Sequence, residues 1–328
     1  MSERIDIVLP WVDGNDPAWR QAFGEARREV GMDCSEIRYR DWGTLRYLFR
    51  SIERFAPWVG TVHLITWGHL PEWIDTTHPR LHIVRHTDYI PHEWLPTFNS
   101  NTIELNAWRI EGLSERFILL NDDTFFTRPC RDEDFFRRGL PRDMARLSVV
   151  RPSSVAPTIL NNLALINALH SRRALNRHWR KWLAPCYGLG HLLKTLTLLP
   201  WSFFPAFYDP HQMQPYRKED FRRAWELWGE ELAATCAHRF RSTEDLSHWL
   251  IRYDVLCRGE FVPRSVADDR LVTLTDDTAE GIARQIGSAA QRLLCINDSE
   301  AITRFEEVCA TLQRGFETLL PTPSSYEK

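Results

Sequence analysis

Paired cysteines are missing from the sequence. The chain has seven scattered cysteines and no CxxC spacing: Cys34, Cys130, Cys186, Cys236, Cys257, Cys295 and Cys309. An odd number of scattered cysteines does not suggest a disulfide framework, and the absence of CxxC pairs does not suggest a zinc cluster. The pattern favours a reducing compartment. A strand-like stretch begins at Ile5, which leaves no room for a signal peptide, and we expect a cytoplasmic protein.

The sequence also has no excess of basic over acidic residues. Lys and Arg number 41, Asp and Glu number 44, and the formal net charge is −3. Proteins that bind nucleic acid usually carry a strongly basic surface, so no nucleic-acid partner is expected. With 43% hydrophobic and 26% charged residues, the chain has the composition of a globular protein with a large core.

A long uninterrupted apolar run is the third absence. The most apolar region, residues 189–208, contains two prolines, a lysine and a histidine. It falls short of the roughly 20 apolar residues that span a bilayer. Its aromatic residues would suit a membrane interface, although a core helix and loop is the favoured interpretation. Peripheral membrane association therefore stays open.

Strand and helix signals alternate in the first half and predict an α/β fold. The predicted strands are residues 5–12, 62–67, 81–85 and 117–120, and the predicted helices are 42–55 and 102–110. We expect one domain over 1–320, in which 1–150 is the α/β half, 151–292 is helix-rich, and 293–320 is a closing strand and helix. Residues 321–328 are polar, contain two prolines and are predicted to form a flexible tail.

An acidic pair ends the apolar run of residues 117–120. Asn121 is followed by Asp122 and Asp123. Adjacent carboxylates repel each other unless a cation lies between them, and hard divalent ions prefer oxygen ligands. The sequence therefore predicts a metal site. The alternative is a turn in which Asn and Asp cap backbone amides.

Two other strand ends carry polar residues. The loop after the first strand contains Trp11, Val12, Asp13, Gly14 and Asn15. In open α/β sheets, ligands lie outside the carboxyl ends of strands, so this loop is predicted to hold a nucleotide; the alternative is a plain turn. Asn297 and Asp298 occupy a strand-to-helix corner, which can bind an anion through helix amides or simply cap the helix.

Further positions are candidates for chemistry or ligand binding. His211 lies in a proline-bounded loop, and a histidine can take a proton from an attacking hydroxyl. Arg241 precedes a helix and can clamp phosphate oxygens, with a solvated surface arginine as the alternative. Asn99 and Ser100 are predicted at the start of the helix that carries Glu104.

Four sequence blocks together resemble the Stealth family of sugar-phosphate transferases. They are residues 5–14, the motifs between 38 and 123, residues 211–217 with 241–245, and residues 295–298. The family includes bacterial capsule-polysaccharide phosphotransferases and the catalytic subunit of the lysosomal-enzyme N-acetylglucosamine-1-phosphotransferase. The resemblance implies a Rossmann-like, GT-A-like nucleotide-sugar transferase sheet with a helix-rich second half.

The resemblance also implies the reaction. The donor would be a UDP-hexose or UDP-N-acetylhexosamine and the acceptor a glycan hydroxyl, at the inner face of the cell membrane, in the synthesis of capsule or cell-surface polysaccharide. The acceptor would attack the sugar-bearing phosphorus, release UMP and form a phosphodiester. Two other functions stay open: a metal-dependent glycosyltransferase that releases UDP, and a glycan-binding protein without catalysis.

Residue roles follow from the same resemblance. The expected cofactor is Mg²⁺ or Mn²⁺. Its predicted ligands are Asp122, Asp123, Asn297 and Asp298. His211 is the expected general base, with Asp123 as the competing candidate. Arg241 and Arg40 would hold phosphate oxygens. Residues 11–15 would hold uridine. Asn99, Ser100 and Glu104 would contact the sugar or the phosphates.

Overall fold

The computed structural model describes residues 4–30, 39–171 and 173–328, so Cys34 and Arg38 lie outside the described residues. The strands are β1 (Ile5–Pro10), β2 (Val62–Thr66), β3 (Leu81–Arg85), β4 (Arg116–Leu119), β5 (Thr124–Phe126), β6 (Phe136–Arg137), β7 (Leu140–Asp143), β8 (Gln214–Arg217), β9 (Val262–Pro263), β10 (Asp269–Thr273) and β11 (Leu293–Asn297). The α-helices are α1 (Pro17–Val30), α2 (Leu45–Phe55), α3 (His86–Tyr89), α4 (Ser100–Leu105), α5 (Ala156–Leu169), α6 (Arg173–Arg177), α7 (Trp179–Trp182), α8 (Leu189–Leu198), α9 (Lys218–Ala237), α10 (Trp249–Arg258), α11 (Ala279–Gly287) and α12 (Phe305–Leu319). The alternation of strands and helices confirms the α/β class.

The main sheet has five strands in the order β3-β2-β1-β4-β8. The first four are parallel, and β8 runs antiparallel along the edge of β4. β1 is apolar over most of its length, as expected for a parallel strand that is covered on both faces. Helix α2 buries the apolar positions of its periodic face, Leu45, Leu48, Phe49, Ile52 and Phe55, in the same core.

Two smaller sheets continue from the main one. One has the order β10-β11-β5, in which β11 runs parallel to β10 and antiparallel to β5. The other joins β6, β7 and β9. Because the chain passes directly from β4 into β5, the acidic pair Asp122 and Asp123 lies where the main sheet gives way to the second one.

Residues 148–206 form a helical excursion that contains α5 to α8. The ends of the excursion meet where Leu147 pairs with Phe207 in an isolated β-bridge, and the Tyr208 amide donates to the Arg146 carbonyl at 2.9 Å. Helix α5 packs against α10. Among the described residues, no helix combines the length and the apolar character that crossing a bilayer requires.

The last eight residues pack against the fold, so the prediction of a flexible tail at 321–328 is wrong. Tyr326 is fully buried, and Glu327 forms a β-bridge with Ile74. The Arg50 guanidinium donates to both carboxylate oxygens of Glu327, at 2.8 and 2.9 Å. The sequence did not reveal this docking, because the partners of the tail lie in distant parts of the chain.

Candidate active site

The strand order of the main sheet reverses between β1 and β4, and a ligand crevice is expected there. The chain continues from β1 to β2 and β3 on one side, whereas β4 flanks β1 on the other side. At such a reversal of strand order, the loops at the carboxyl ends of the strands diverge and leave room for a ligand. Here those loops are residues 11–15 after β1 and residues 120–123 after β4.

One cluster of possible metal ligands lies at this edge. Ligand atoms of Asp123, His211 and Cys295 are all within 4.8 Å of one another, the one such group of three that the described residues form. Strand pairing explains it. β8 runs antiparallel to β4, so the loop before Gln214 lies beside the end of β4, and the Ile296 amide donates to the Asp123 carbonyl at 2.9 Å.

The backbone of His211 is unusual. Its φ is 49°, in the left-handed region that few residues other than glycine occupy. Such conformations cost about 1–3 kcal/mol and are concentrated at functional sites. The fold therefore holds the imidazole beside Asp123 at a conformational cost.

The acidic pair lies in an environment that disfavours its charge. Burial raises the pKa of Asp122 to about 8, and the neighbouring carboxylates of Asp123 and Asp41 add to the rise. Burial also raises the pKa of Asp123, against the opposing effect of His211. Asp123 Oδ1 is buried without a hydrogen-bond partner among the described atoms. Buried carboxylates with free oxygens fit a divalent cation such as Mg²⁺ or Mn²⁺.

Cys295 is a neighbour that the sequence did not single out. Burial, and then the charge of Asp123, raises the pKa of its thiol far above the usual range. The thiol is therefore protonated at neutral pH in the metal-free protein, and the oxygens of Asp122 and Asp123 are the ligands that suit a hard cation. Only the register of β11 against β5, which aligns Cys295 with Thr124, brings the thiol to the site.

The loop after β1 is held in place by groups outside it. The Asp13 amide donates to His69 Nε2 at 2.7 Å, and the Gly14 amide donates to the Tyr39 carbonyl at 2.9 Å. A Cβ at Gly14 would collide with that carbonyl, so the glycine permits close packing against Tyr39. Burial, with the nearby charge of Asp13, raises the pKa of Asp41. His69 and Asp41 are site residues that the sequence reasoning missed.

Other members of this loop have separate environments. Trp11 is buried and packs edge-on to the His69 ring at 5.2 Å. Val12 packs against a small apolar cluster that contains Trp19. Asn15 is exposed, and its side-chain oxygen accepts from Arg20. The loop thus presents mainly Asp13 and Asn15 to a ligand.

Asp298 lies with Arg40 rather than with the Asp123 group. The distance from Arg40 Nη1 to Asp298 Oδ1 is 3.9 Å, and the guanidinium also lies over the ring of Phe305. Burial raises the pKa of Asp298, and Arg40 opposes the rise. Arg40 Nη1 and Asp298 Oδ2 are buried without a hydrogen-bond partner among the described atoms, which leaves both available to a polar ligand.

The predicted metal ligands have different nearest partners. Asp122 and Asp123 are adjacent, the ligand atoms of Asp123 lie with those of His211 and Cys295, and Asp298 pairs with Arg40. Asn297 is exposed at the end of β11, where it pairs with Thr273. The sequence could not show this, because the register of the second sheet decides which residue of β11 faces the acidic pair.

A second polar group surrounds Arg241. Its Nε donates to Ser100 Oγ at 3.0 Å, so two predicted phosphate-binding residues lie together. Burial raises the pKa of Glu104 to about 7, and the charge of Arg241 opposes the rise. His248 Nε2 lies 3.6 Å from Glu104. Burial, with the charge of His211, lowers the pKa of His248 to about 3, so this contact is not an ion pair at neutral pH.

Asn99 has a structural role in the polar group around Arg241. Its side chain is fully buried, accepts from the Asn101 amide as the cap of α4, and donates to Asp245 at 2.8 Å. The Asp245 carboxylate also accepts from the Ser242 amide at 3.0 Å. Asn99 thus fixes the position of Ser100 and Arg241 relative to each other.

Comparisons with known proteins show which chains this sequence resembles. Three family models match the chain: Stealth protein conserved region 1 over residues 3–29, conserved region 2 over 38–143 and conserved region 3 over 210–252. The block at 295–298 lies outside these matches.

Full-length relatives also match. The chain is 39% identical over 332 residues to the capsular polysaccharide phosphotransferase WcwK of Streptococcus pneumoniae, covering 99% of this chain and 98% of that protein. It is 33% identical to the receptor polysaccharide phosphotransferase WefC of Streptococcus gordonii, covering 100% of both chains. It is 34% identical to the exopolysaccharide phosphotransferase cps2G of Lactiplantibacillus plantarum, covering 99% of this chain and 96% of that protein.

Proposed function

The chain belongs to the Stealth family of phosphotransferases and is therefore an enzyme of the transferase class, and from this premise we propose that it transfers a sugar-1-phosphate to a glycan hydroxyl. The donor is a UDP-sugar, either a UDP-hexose or a UDP-N-acetylhexosamine. The product is a phosphodiester in a capsular or other surface polysaccharide. The observation that carries the proposal is the proximity of Asp123 and His211, whose ligand atoms lie within 4.8 Å, in a chain matched over its full length.

The reaction breaks the pyrophosphate bond. The acceptor oxygen forms a bond to the sugar-bearing phosphorus, and the bond from that phosphorus to the bridging oxygen breaks. UMP leaves with that oxygen, and the anomeric carbon keeps its configuration. Phosphoryl transfer of this kind depends chiefly on positioning and on neutralising the charge that moves onto the leaving phosphate.

In this proposal His211 accepts the proton of the attacking hydroxyl. Its side chain is partly exposed and its backbone is held in the left-handed region, which supports a fixed position facing the ligand. Asp123, within 4.8 Å, orients the ring and stabilises the imidazolium that forms. Asp123 is the competing candidate for the base, although its raised pKa also makes it suitable as a metal ligand.

Asp122 and Asp123 would hold Mg²⁺ or Mn²⁺. When bound, the ion supplies positive charge for the pyrophosphate oxygens. Arg241, which donates to Ser100, and Arg40, which lies beside Asp298, would bind phosphate oxygens. Asp298 would position Arg40, and Asn297 would support that corner.

The donor nucleotide would bind at the loop after β1. Residues 11–15 follow the strand at the crevice, and the buried carboxylate of Asp41 lies beside Trp11 and Asp13. Ser100 and Glu104 would contact the sugar or its phosphates. We further propose a Rossmann-like sheet related to GT-A nucleotide-sugar transferases, which the four parallel strands in the order β3-β2-β1-β4 support.

Product analysis tests the reaction. The protein is incubated with a panel of nucleotide sugars, a glycan acceptor and Mg²⁺ or Mn²⁺, and the released nucleotide is identified by mass. UMP release with an acceptor that gains a sugar phosphate is the expected result. UDP release with an acceptor that gains only the sugar would show a glycosyltransferase instead. The matched control is His211→Ala, which should release neither nucleotide at a comparable rate.

The proposed place of action is the cytoplasm at the inner face of the cell membrane. Polysaccharide precursors are assembled there in the setting that the resemblance implies. Fractionation of cells that produce the protein would test it, since the protein should divide between the cytosolic and membrane fractions and leave the membranes at high salt.

A further inference from the structure

One part of the sequence contains no acidic residue. Between Asp143 and Asp209 the chain has eight Lys and Arg and neither Asp nor Glu. The chain as a whole has a formal charge of −3, so this excess of positive charge is local. The stretch coincides with the helical excursion of residues 148–206.

The same excursion exposes most of the large apolar side chains found at the surface. In the part of the chain that the structure describes, twelve large apolar residues are exposed, and ten of them lie between Val149 and Phe203. Scattered single residues of this kind are normal, but a concentration in one segment marks an interaction surface.

Helix α8 exposes a row of leucines. Leu189, Leu193 and Leu196 occupy one face at i, i+4 and i+7, and all three are exposed, with Leu189 at 73%. The inner face is mixed: Leu192 and Leu198 pack against the core, Thr195 Oγ1 accepts from the Leu147 amide at 3.4 Å, and His191 Nδ1 accepts from Arg146 at 2.8 Å.

Helix α5 also exposes leucines. It contains no charged residue, and its outer side includes the exposed Leu160 and Leu169. Its asparagines point inward, where Asn161 donates to the Thr243 carbonyl and Asn162 donates to Ser247 Oγ, both at 2.9 Å. Helix α5 also buries Leu163 and Ile166, so both helices expose leucines in addition to the apolar residues that they pack inside.

We infer that residues 148–206 form a docking surface for an anionic lipid bilayer. Exposed leucines and aromatic residues would enter the interface between headgroups and acyl chains, and the surrounding Lys and Arg would contact lipid phosphates. Charge complementarity favours this occupant, because the excursion has only basic charges. The base of the excursion, Phe207, lies four residues before His211, so docking would hold the catalytic loop close to the membrane plane.

The inference rests on the membrane placement proposed above and not on the transfer reaction. It is tested with the full chain by co-sedimentation with vesicles, without any nucleotide sugar. Vesicles of phosphatidylcholine mixed with phosphatidylglycerol should bind the protein, and vesicles of phosphatidylcholine alone should bind it much more weakly. Binding should fall as NaCl rises from about 0.1 to 1 M, where the screening length shrinks to about 3 Å.

Two sets of variants locate the surface. The substitutions Leu189→Ser, Leu193→Ser and Leu196→Ser together should weaken binding at least about tenfold. The substitutions Arg173→Gln, Arg177→Gln and Lys194→Gln together should weaken it on the order of 100-fold, at about fivefold for each cation. All six side chains are exposed, so folding should be kept and is checked by circular dichroism.

Matched controls lie elsewhere on the molecule. Leu227→Ser with Leu271→Ser replaces two exposed leucines outside the excursion, and Arg137, Arg270 and Arg284 changed to Gln remove three exposed cations. Both controls should bind as the parent does. Equal binding by parent and excursion variants, or no binding by the parent, would overturn the inference. A second outcome would also overturn the inference: sedimentation velocity shows that the leucine substitutions separate a dimer into monomers, while vesicle binding is unchanged. If the protein released UMP but did not bind vesicles, the docking inference would be wrong and the proposed function would stand.

Discussion

His211 lies within 4.8 Å of Asp123, although one precedes the edge strand β8 and the other follows the central strand β4. Antiparallel pairing of the two strands creates this contact, since the beginning of β8 must lie at the end of β4. The pairing thus assembles a proton acceptor and a carboxylate from two strands of a single sheet.

Replacing His211 tests the role of this contact. His211→Ala should lower turnover by about 10² to 10⁴-fold, because general-base catalysis typically contributes that much. Binding of the nucleotide sugar, measured by calorimetry, should change little. His92→Ala is the matched control, since His92 is exposed on a distant turn. If His211→Ala kept turnover within about tenfold of the parent, His211 would not be the general base, and Asp123 or another group would have that role.

Metal binding should be visible in stability without any assay of turnover. Addition of Mg²⁺ or Mn²⁺ at about 100 times its Kd should stabilise the protein by about 2.7 kcal/mol. Asp123→Asn should abolish that response. It should also stabilise the metal-free protein at alkaline pH, because burial disfavours the charge of the native carboxylate.

The control for the metal experiment is Asp277→Asn, which removes an exposed carboxylate and should leave the metal response intact. Thermal unfolding with and without metal measures both effects. A normal metal response in Asp123→Asn would show that the ion binds elsewhere.

Much of the main sheet could be predicted from the sequence. Residues 81–85 form β3 with the predicted bounds, and the strands predicted at 62–67 and 117–120 are present as β2 and β4 with small shifts. These strands carry strong apolar runs. By contrast, the sequence of β8 contains Pro215 and is typical of a loop. The strand tolerates this proline because β8 lies at the edge of the sheet.

The candidate site shows the same division. Asp122, Asp123 and His211 stand in recognisable local motifs, so the sequence was sufficient to nominate them. His69, Asp41 and Cys295 are in unremarkable local sequence and become site residues only through the pairing of distant segments. Long-range register is the information that a local pattern does not contain.

Arg241 should contribute mainly to binding of the phosphates. Arg241→Ala should lower kcat/KM by about 10- to 100-fold, since hydrogen bonds to charged groups contribute about 1.5–3 kcal/mol. Ser100→Ala removes only the hydroxyl that accepts from Arg241 Nε, and its effect should be smaller. Arg222→Ala is the control, because Arg222 pairs with Glu115 on the exposed side of α9. Equal losses in Arg241→Ala and Arg222→Ala would argue for a general effect of charge.

The docked tail should contribute measurably to stability. Glu327→Gln removes the nearer of the two carboxylates that pair with the buried Arg50 and leaves Glu317 at 3.5 Å, so the cost should approach but not exceed the about 3–5 kcal/mol of a broken buried pair. Glu307→Gln breaks the exposed pair with Arg304 and should cost less than about 1 kcal/mol. Urea unfolding of both variants provides the comparison. If the two losses were equal, the tail would not be held by the Arg50 contact.

Glu104 should make stability depend on pH. Burial raises the pKa of this carboxyl from 4.5 to about 7 in the folded protein. The unfolded chain therefore releases the proton first as pH rises. The contribution of Glu104 to the free energy of unfolding is fully present below pH about 4.5. As pH rises from there to about 7, the protein loses on the order of 3 kcal/mol of stability.

Glu104→Gln removes this titration. The variant should become more stable than the parent above pH about 7, and the two should converge at low pH, because a neutral amide resembles the protonated carboxyl in size and charge. Glu111→Gln is the control, since Glu111 is exposed in a nearby turn. The free energy of unfolding in urea, measured across this pH range, decides the outcome. Parallel profiles for the parent and Glu104→Gln would mean that Glu104 keeps its charge in the folded protein, with Arg241 close enough to offset the effect of burial.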